Sequence, residues 1–139
     1  MGSKNLVAKV LNKLRLHLRD EHHLVDDNQL AFAWITDFPF YEYDEGHDRR
    51  DFGHNPFSHI VGGVDGVRDV DFADVKTNQY DMVLNGYEIL SGSIRNHDPE
   101  VMVAAFEKIG LTEDDVKSKF GAMYEAFQYG APPHGGFAF

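Results

Sequence analysis

The sequence predicts an α/β fold: a mostly antiparallel sheet packed with two or three helices. Three observations predict it. Residues 30–43 (LAFAWITDFPFYEY) are rich in aromatic and β-branched side chains, the composition of a strand. Asn85-Gly86 separates two short apolar runs, the strongest local signal for a β-hairpin. Two amphipathic helices follow, opening after Asp98 and Thr112, residues whose side chains cap helix N-termini.

Taken in order, residues 4–23 predict a helix. Leu6, Val7, Val10, Leu11, Leu14 and Leu18 recur on one stripe, as a 3.6-residue period requires. Ser3 is its expected N-cap, and Asp26-Asp27-Asn28 its terminating turn. Phe32, Trp34, Thr36 and Phe38 then share one face of the aromatic run, and Ala31, Ala33, Ile35 and Asp37 the other. Both faces are largely apolar, so a central strand is expected, with Trp34 and Phe38 in the core. Pro39 should end regular pairing or mark a bulge. Residues 44–50 read as a charged turn and 52–58 as a short extended run. Residues 59–78, with Gly62, Gly63 and Gly66, read as one long loop, a length usually kept for function or mobility.

The hairpin carries the most information. A type I′ turn at Asn85-Gly86 sets Leu84 opposite Tyr87 and Val83 opposite Glu88. Asp81 and Glu88 then project from one face as diagonal neighbours. Two acids on a face otherwise built from Val, Leu and Ile are either solvated side chains or ligands of a cation. Arg95 lies seven residues after Glu88, so strict alternation puts it on the opposite face. Ser91-Gly92-Ser93 is where a bulge is expected to return it to the acidic face, since Gly within a strand often marks one. Downstream, Asp98 caps a helix with Pro99 at its first position and Gly110 at its end. Thr112 caps the next, which Gly130 stops. Ala131-Pro-Pro-His-Gly-Gly-Phe-Ala-Phe139 reads as a turn entering another strand.

Composition narrows the function classes. A chain of 139 residues holds one compact domain or a piece of one. It has no cysteine, which excludes disulfides, thiolate catalysis and cysteine-based zinc sites and fits a reducing cytoplasm. No apolar run approaches the length that crosses a bilayer, and Met1 to Asn5 opens no signal-peptide core. Thirteen Lys and Arg stand against 23 Asp and Glu, a net charge of −10. Such a surface repels a phosphate backbone, so nucleic-acid contact needs a basic partner domain or a local basic patch.

The segments AFAWITDFPFYEYDE (31–45), FGHNPFS (52–58), QYDMVLNGYEILSGSIRNHDPEVM (79–102), GLTEDDVKSKFGAMYEAFQYG (110–130) and APPHGGFAF (131–139) together resemble the bacterial-type aspartyl-tRNA synthetases, a class II branch. Residues 1–28 resemble, more loosely, the end of that family's insertion domain, and 29–139 part of its catalytic domain. The family's anticodon-binding barrel and its first and second motifs have no counterpart here, and its third motif would begin after Phe139.

The resemblance implies an aspartate–tRNA ligase, in which the substrate carboxylate is the nucleophile and the protein positions it and neutralises charge. No residue here is then required as a nucleophile. Glu88 and Asp81 match the acids that hold Mg²⁺ on ATP, hard oxygen ligands for a hard ion. Arg95 matches the residue gripping the aspartate side chain, where a planar fork suits a carboxylate. His54 matches a histidine at the aspartate end of the pocket. Gly135 and Gly136 match positions where backbone approaches the adenosine closely. The implied partners are aspartate and ATP, with tRNA bound only through domains outside these residues. The implied site holds no structural metal, and the implied parent is a cytoplasmic homodimer. Taken without the family, Arg95 reads as a surface ion-pair residue and His54 as a surface histidine.

Alone, these residues are expected to form no adenylate, because the family's second- and third-motif arginines are missing. A non-enzymatic reading is a truncated paralogue that binds or assembles through open sheet edges. A metal hydrolase using His22, His23, Asp26 and Asp27 is the remaining alternative.

Overall fold

The computed structural model describes residues 4–26 and 28–139, and the side chains from Leu6 onward within that range. Ser3 and Asp27, read above as a cap and a turn residue, lie outside the described residues. The chain divides into two compact units, Met1–Ala31 and Phe32–Phe139.

In the first unit, α1 (Lys4–Glu21) is the expected helix. It stops at Glu21, and His23 takes a left-handed φ of 49°. Its leucine and valine stripe is exposed from Leu6 to Leu18.

The second unit is mixed α/β, with antiparallel pairing throughout. Its main sheet has four strands in the order β1-β6-β7-β8: β1 (Phe32–Ile35), β6 (Gln79–Leu84), β7 (Tyr87–Ile94) and β8 (Gly135–Ala138). Two small ladders stand beside it. One pairs β2 (Phe38–Pro39) with β5 (Lys76–Thr77), the other β3 (Tyr41–Asp44) with β4 (Arg49–Phe52).

The aromatic run is therefore three strands rather than one. Asp37 adopts φ 60°, a left-handed conformation that Asp tolerates better than most residues. There the chain leaves the main sheet. Pro39 follows opposite Lys76 in the two-residue ladder. Nor is β1 central: it is an edge strand with all four residues exposed. Trp34 is 57% exposed and meets Tyr80 edge-on, ring centroids 5.9 Å apart. Alternation and composition describe a strand but do not say what covers it.

The supposed loop at 59–78 also holds structure. α2 (Gly63–Arg68) buries Val67, and a single 3₁₀ turn (Phe72–Asp74) leads into β5. Its helical signal is short, and Gly62 and Gly63 at its start, both at positive φ, read locally as turn. The packing of Val67 against Ile60, Val75 and Ala104 holds it.

α3 (Pro99–Glu107) and α4 (Glu113–Gln128) start as expected. Asp98 Oδ1 accepts from the backbone N–H groups of Glu100 (2.8 Å) and Val101 (3.5 Å). Thr112 and Asp115 form a reciprocal capping box. The interactions with the Thr112 backbone and hydroxyl hold the Asp115 carboxyl below its usual range.

Leu90 is buried in β7, but the two hydrophobic clusters draw their residues from outside the four-stranded sheet. One cluster joins Phe40, Tyr41, Ile60, Val67, Val75, Val101, Ala104 and Ala105. A second joins Met102, Phe106 and Val116, with Phe57, Phe120 and Phe127 against it. Tyr41 donates its hydroxyl to the Ala105 carbonyl at 2.9 Å, and burial pushes its ionisation well above the usual range. These clusters form a platform of helices and small ladders beside the open sheet.

Candidate functional site

Asn85 (φ 50°) and Gly86 (φ 88°) form the turn with two left-handed residues that a type I′ hairpin needs. Leu84 pairs with Tyr87 and Val83 with Glu88, in the expected register. The next pair is Met82 with Leu90, which leaves Ile89 as an extra residue. The bulge therefore lies between Glu88 and Leu90, and not at Ser91-Gly92-Ser93, where it was expected.

That bulge settles which face each side chain takes. Beyond it, Asp81 pairs with Ser91 and Gln79 with Ser93. Directly opposed residues share a face, as do alternate residues along one strand. Gln79, Asp81, Val83, Glu88, Ser91 and Ser93 therefore line one face. Arg95, two residues past Ser93 and bridged to Ser58, continues it. One inserted residue absorbs the odd spacing from Glu88 to Arg95.

Gly92 serves another end. It lies on the opposite face, opposite Phe137 of β8 and Tyr80 of β6. A Cβ there would stand 2.5 Å from the Gly136 carbonyl oxygen and 2.8 Å from both Phe137 Cβ and Tyr80 Cε2. Gly in a strand marks either a bulge or a close approach, and here it marks the approach.

The acids differ in environment. Asp81 is 8% exposed and accepts from the Ser91 hydroxyl, Oγ to Oδ1 2.6 Å. Glu88 is exposed. Neither is in an ion pair among the described residues. Two carboxylates with a serine hydroxyl on one face are an all-oxygen set, which suits a Mg²⁺ that keeps waters and takes the rest of its shell from phosphates. Among the described residues no three His, Asp or Glu side chains gather to hold a metal by themselves.

Arg95 lines a cavity of about 460 Å³ together with Asn55, Asn96, His134, Gly135, Gly136 and the apolar side chains of α4. Its backbone N–H donates to the His134 carbonyl at 2.9 Å, tying the end of β7 to the approach of β8. An ideal Cβ on Gly136 would lie 4.0 Å from Arg95 Nη2, so the guanidinium passes over that glycine. Gly135 and Gly136 point to opposite faces. Gly136 pairs with Ser93 on the Arg95 face, whereas Gly135 pairs with Ile94. A Cβ on Gly135 would meet the Ser93 carbonyl at 3.0 Å.

His54 is exposed and packs edge-on against Phe38, centroids 5.5 Å apart. Its neighbour Asn55 reaches the Arg95 cavity instead. Asn55 Oδ1 accepts from the Phe57 N–H (2.9 Å) and the Ser58 hydroxyl (3.2 Å). Sequence reading missed Asn55, Asn96 and Ser91. Asn55 was visible as the Asn-Pro turn of FGHNPFS, a signal of local geometry that does not say what the turn faces.

Ser93 is 1% exposed and its Oγ has no partner among the described residues. Removing an unpaired buried hydroxyl removes its desolvation cost. Ser93→Ala should leave stability unchanged or raise it by about 1 kcal/mol, measured as the urea midpoint. A clear fall would show that the hydroxyl has a partner.

The family model for class II tRNA synthetases (D, K and N) matches residues 6–139. An aspartate–tRNA(Asp/Asn) ligase of Brucella ovis is 55% identical over 137 residues, which is 99% of this chain and 23% of that protein. The protein of the same description from Brucella abortus is likewise 55% identical over the same shares. The chain thus spans less than a quarter of the length of these curated relatives. A crystal structure assigned as an aspartyl-tRNA synthetase from Leishmania major Friedlin superposes with a TM-score of 0.50 and 26% identity, covering 87% of this chain and 18% of that one. With its family match running from the first helix to the last residue, this chain belongs to the class II tRNA synthetases of the D, K and N group.

Proposed function

We propose that these residues form the aspartate-facing and metal-facing part of an aspartate–tRNA ligase active site. The observation that carries the reading is the single-residue bulge between Glu88 and Leu90, which sets Arg95 on the face of Asp81 and Glu88. In the proposed reaction an aspartate carboxylate oxygen attacks the α-phosphorus of ATP. The bond to pyrophosphate breaks, and the aspartyl group then passes to the tRNA 3′ end with AMP leaving. Arg95 holds the aspartate side chain through two parallel N–H donors. Glu88 supplies an exposed oxygen for Mg²⁺ and Asp81 a second, its position held by Ser91. That ion would neutralise charge on the phosphates. Gly136 leaves room beside Arg95. Gly135 lines the same cavity and lets β8 close on β7, whereas His54 acts from outside it by packing on Phe38.

The remaining roles follow from the same reading. Residues 1–28 end an insertion domain and 29–139 belong to the catalytic domain. tRNA binds through other parts of the protein, the parent is a cytoplasmic homodimer, and, like the aspartate–tRNA(Asp/Asn) ligases it is similar to, it serves both tRNA-Asp and tRNA-Asn. No described helix is long and apolar enough to cross a membrane. These residues by themselves form no adenylate; aspartate-dependent pyrophosphate exchange by this chain would refute that.

Calorimetric titration with ATP·Mg²⁺ tests the site. Glu88→Ala should weaken binding about tenfold with the urea midpoint unchanged, because Glu88 is exposed. Equal affinity in both forms would remove Glu88 from the site. One observation favours the second reading, an assembly module: β1 and β8 are both edge strands, and exposed edges pair. Sedimentation as a clean monomer at high concentration would count against it.

A further inference from the structure

A second cavity, of about 550 Å³, lies on the helical platform and shares no lining residue with the Arg95 cavity. Its floor is aromatic: Phe52 from β4, Phe106 from α3 and Phe120 from α4. Phe106 is fully buried, whereas Phe52 and Phe120 are half-buried. The Phe52 and Phe106 rings lie 4.9 Å apart, and those of Phe106 and Phe120 5.6 Å apart. α4 leaves helical geometry at Phe120 (φ −133°, ψ 24°), next to Gly121, the kind of residue at which helices bend.

Its rim is cationic. Arg49, Arg50 and Lys119 all line it and all are exposed. Arg49 is held by Asp51 at 2.7 Å. Arg50 leans over Phe72 at 5.0 Å. Arg50 and Lys119 are in no ion pair among the described residues. The setting makes this unusual, because residues 32–139 carry eight Lys and Arg against nineteen Asp and Glu. Three of those eight cations surround one aromatic hollow whose sole lining carboxylate, Asp51, is already paired.

We propose that this cavity is a binding site for a small organic anion whose charge is carried on a flat ring. The volume falls in the range of small-molecule pockets, apolar inside with a few convergent charges. The ring would lie on the half-buried Phe52 and Phe120 side chains, gaining burial and aromatic contact. The anion would sit between Arg50 and Lys119, where a guanidinium and an ammonium supply charge-assisted donors. The surrounding acidic surface disfavours anions elsewhere and so sharpens the preference. The assignment is independent of the aspartate reading, which concerns the other cavity.

Phenyl phosphate is the probe, with inorganic phosphate and phenol as its two halves. Titrated into the ¹⁵N-labelled chain, phenyl phosphate should give saturable amide shifts at Phe52, Leu111, Lys119 and Phe120. Each half alone should bind at least about tenfold more weakly. The double reversal Arg50→Glu/Lys119→Glu, at exposed positions, should weaken phenyl phosphate at least about tenfold with the spectrum otherwise kept. Four results would overturn the proposal: shifts that never saturate, inorganic phosphate binding as well as phenyl phosphate, indifference to the double reversal, or shifts at Arg95, Asn96 and Gly136 instead.

Discussion

Gly92→Ala lowers the urea midpoint of this chain by roughly 1 M or more and loosens β8 from the sheet. The smallest possible side chain at 92 meets the Gly136 carbonyl oxygen at 2.5 Å, the Phe137 Cβ at 2.8 Å and the Tyr80 ring at 2.8 Å. The ring can turn aside, but the carbonyl belongs to the ladder that pairs β7 with β8. Relief therefore means moving a strand, and overpacking of this kind costs about 1–3 kcal/mol. The same shift carries Gly136 away from Arg95, so ligand binding in the Arg95 cavity should fall with stability. Amide exchange resolves the two parts. Gly136 and Phe137 should lose protection before Met82 and Leu90, which pair on the other side of β7. An unchanged midpoint would mean that the Gly136 carbonyl oxygen stands well beyond 2.5 Å from a Cβ at position 92.

Arg95→Lys loses aspartate binding by about tenfold or more while leaving the urea midpoint in place. Lysine keeps the charge and most of the length, so a loss would belong to the fork and not to the field. A guanidinium presents two parallel N–H groups to a carboxylate, whereas an ammonium is a mobile point charge. Arg95 is half-buried and forms no ion pair among the described residues, so no native partner is stranded by the change. Aspartate titration followed at the Gly136 and Asn96 amides measures it, in parallel with Glu88→Ala and ATP·Mg²⁺. If lysine binds aspartate as tightly as arginine, charge alone suffices and the bidentate account fails. Loss of ATP·Mg²⁺ binding in Glu88→Ala but not in Arg95→Lys would separate the two halves of the proposed site.

The places where sequence reading held and where it slipped divide on one physical line. The hairpin turn, its first two pairs and the caps at Asp98 and Thr112 are legible because each depends on residues a few positions apart. Asn-Gly selects left-handed backbone at both positions, and a cap needs only a side-chain oxygen within reach of the next turn. The bulge slipped because two explanations of Gly92 look alike in one dimension, and only the approach of β8 tells them apart. Arg95 still reached the predicted face, since one inserted residue anywhere between 88 and 95 restores it. Asn55 rather than His54 lines the Arg95 cavity, because a turn that is clear in sequence does not announce which of its residues points inward.

By itself, then, the chain of residues determined the order and type of most elements, the pairing register beside Asn85-Gly86, the acidic balance and the family likeness. These rest on local backbone preference and on side chains that need no distant partner. Tertiary structure alone decided that residues 30–43 break at Asp37, that β1 lies at an edge with Trp34 exposed, that a helix forms within 59–78, and that three cations close around an aromatic hollow. Each of those depends on which distant surface arrives to exclude water, and that is a property of packing in three dimensions.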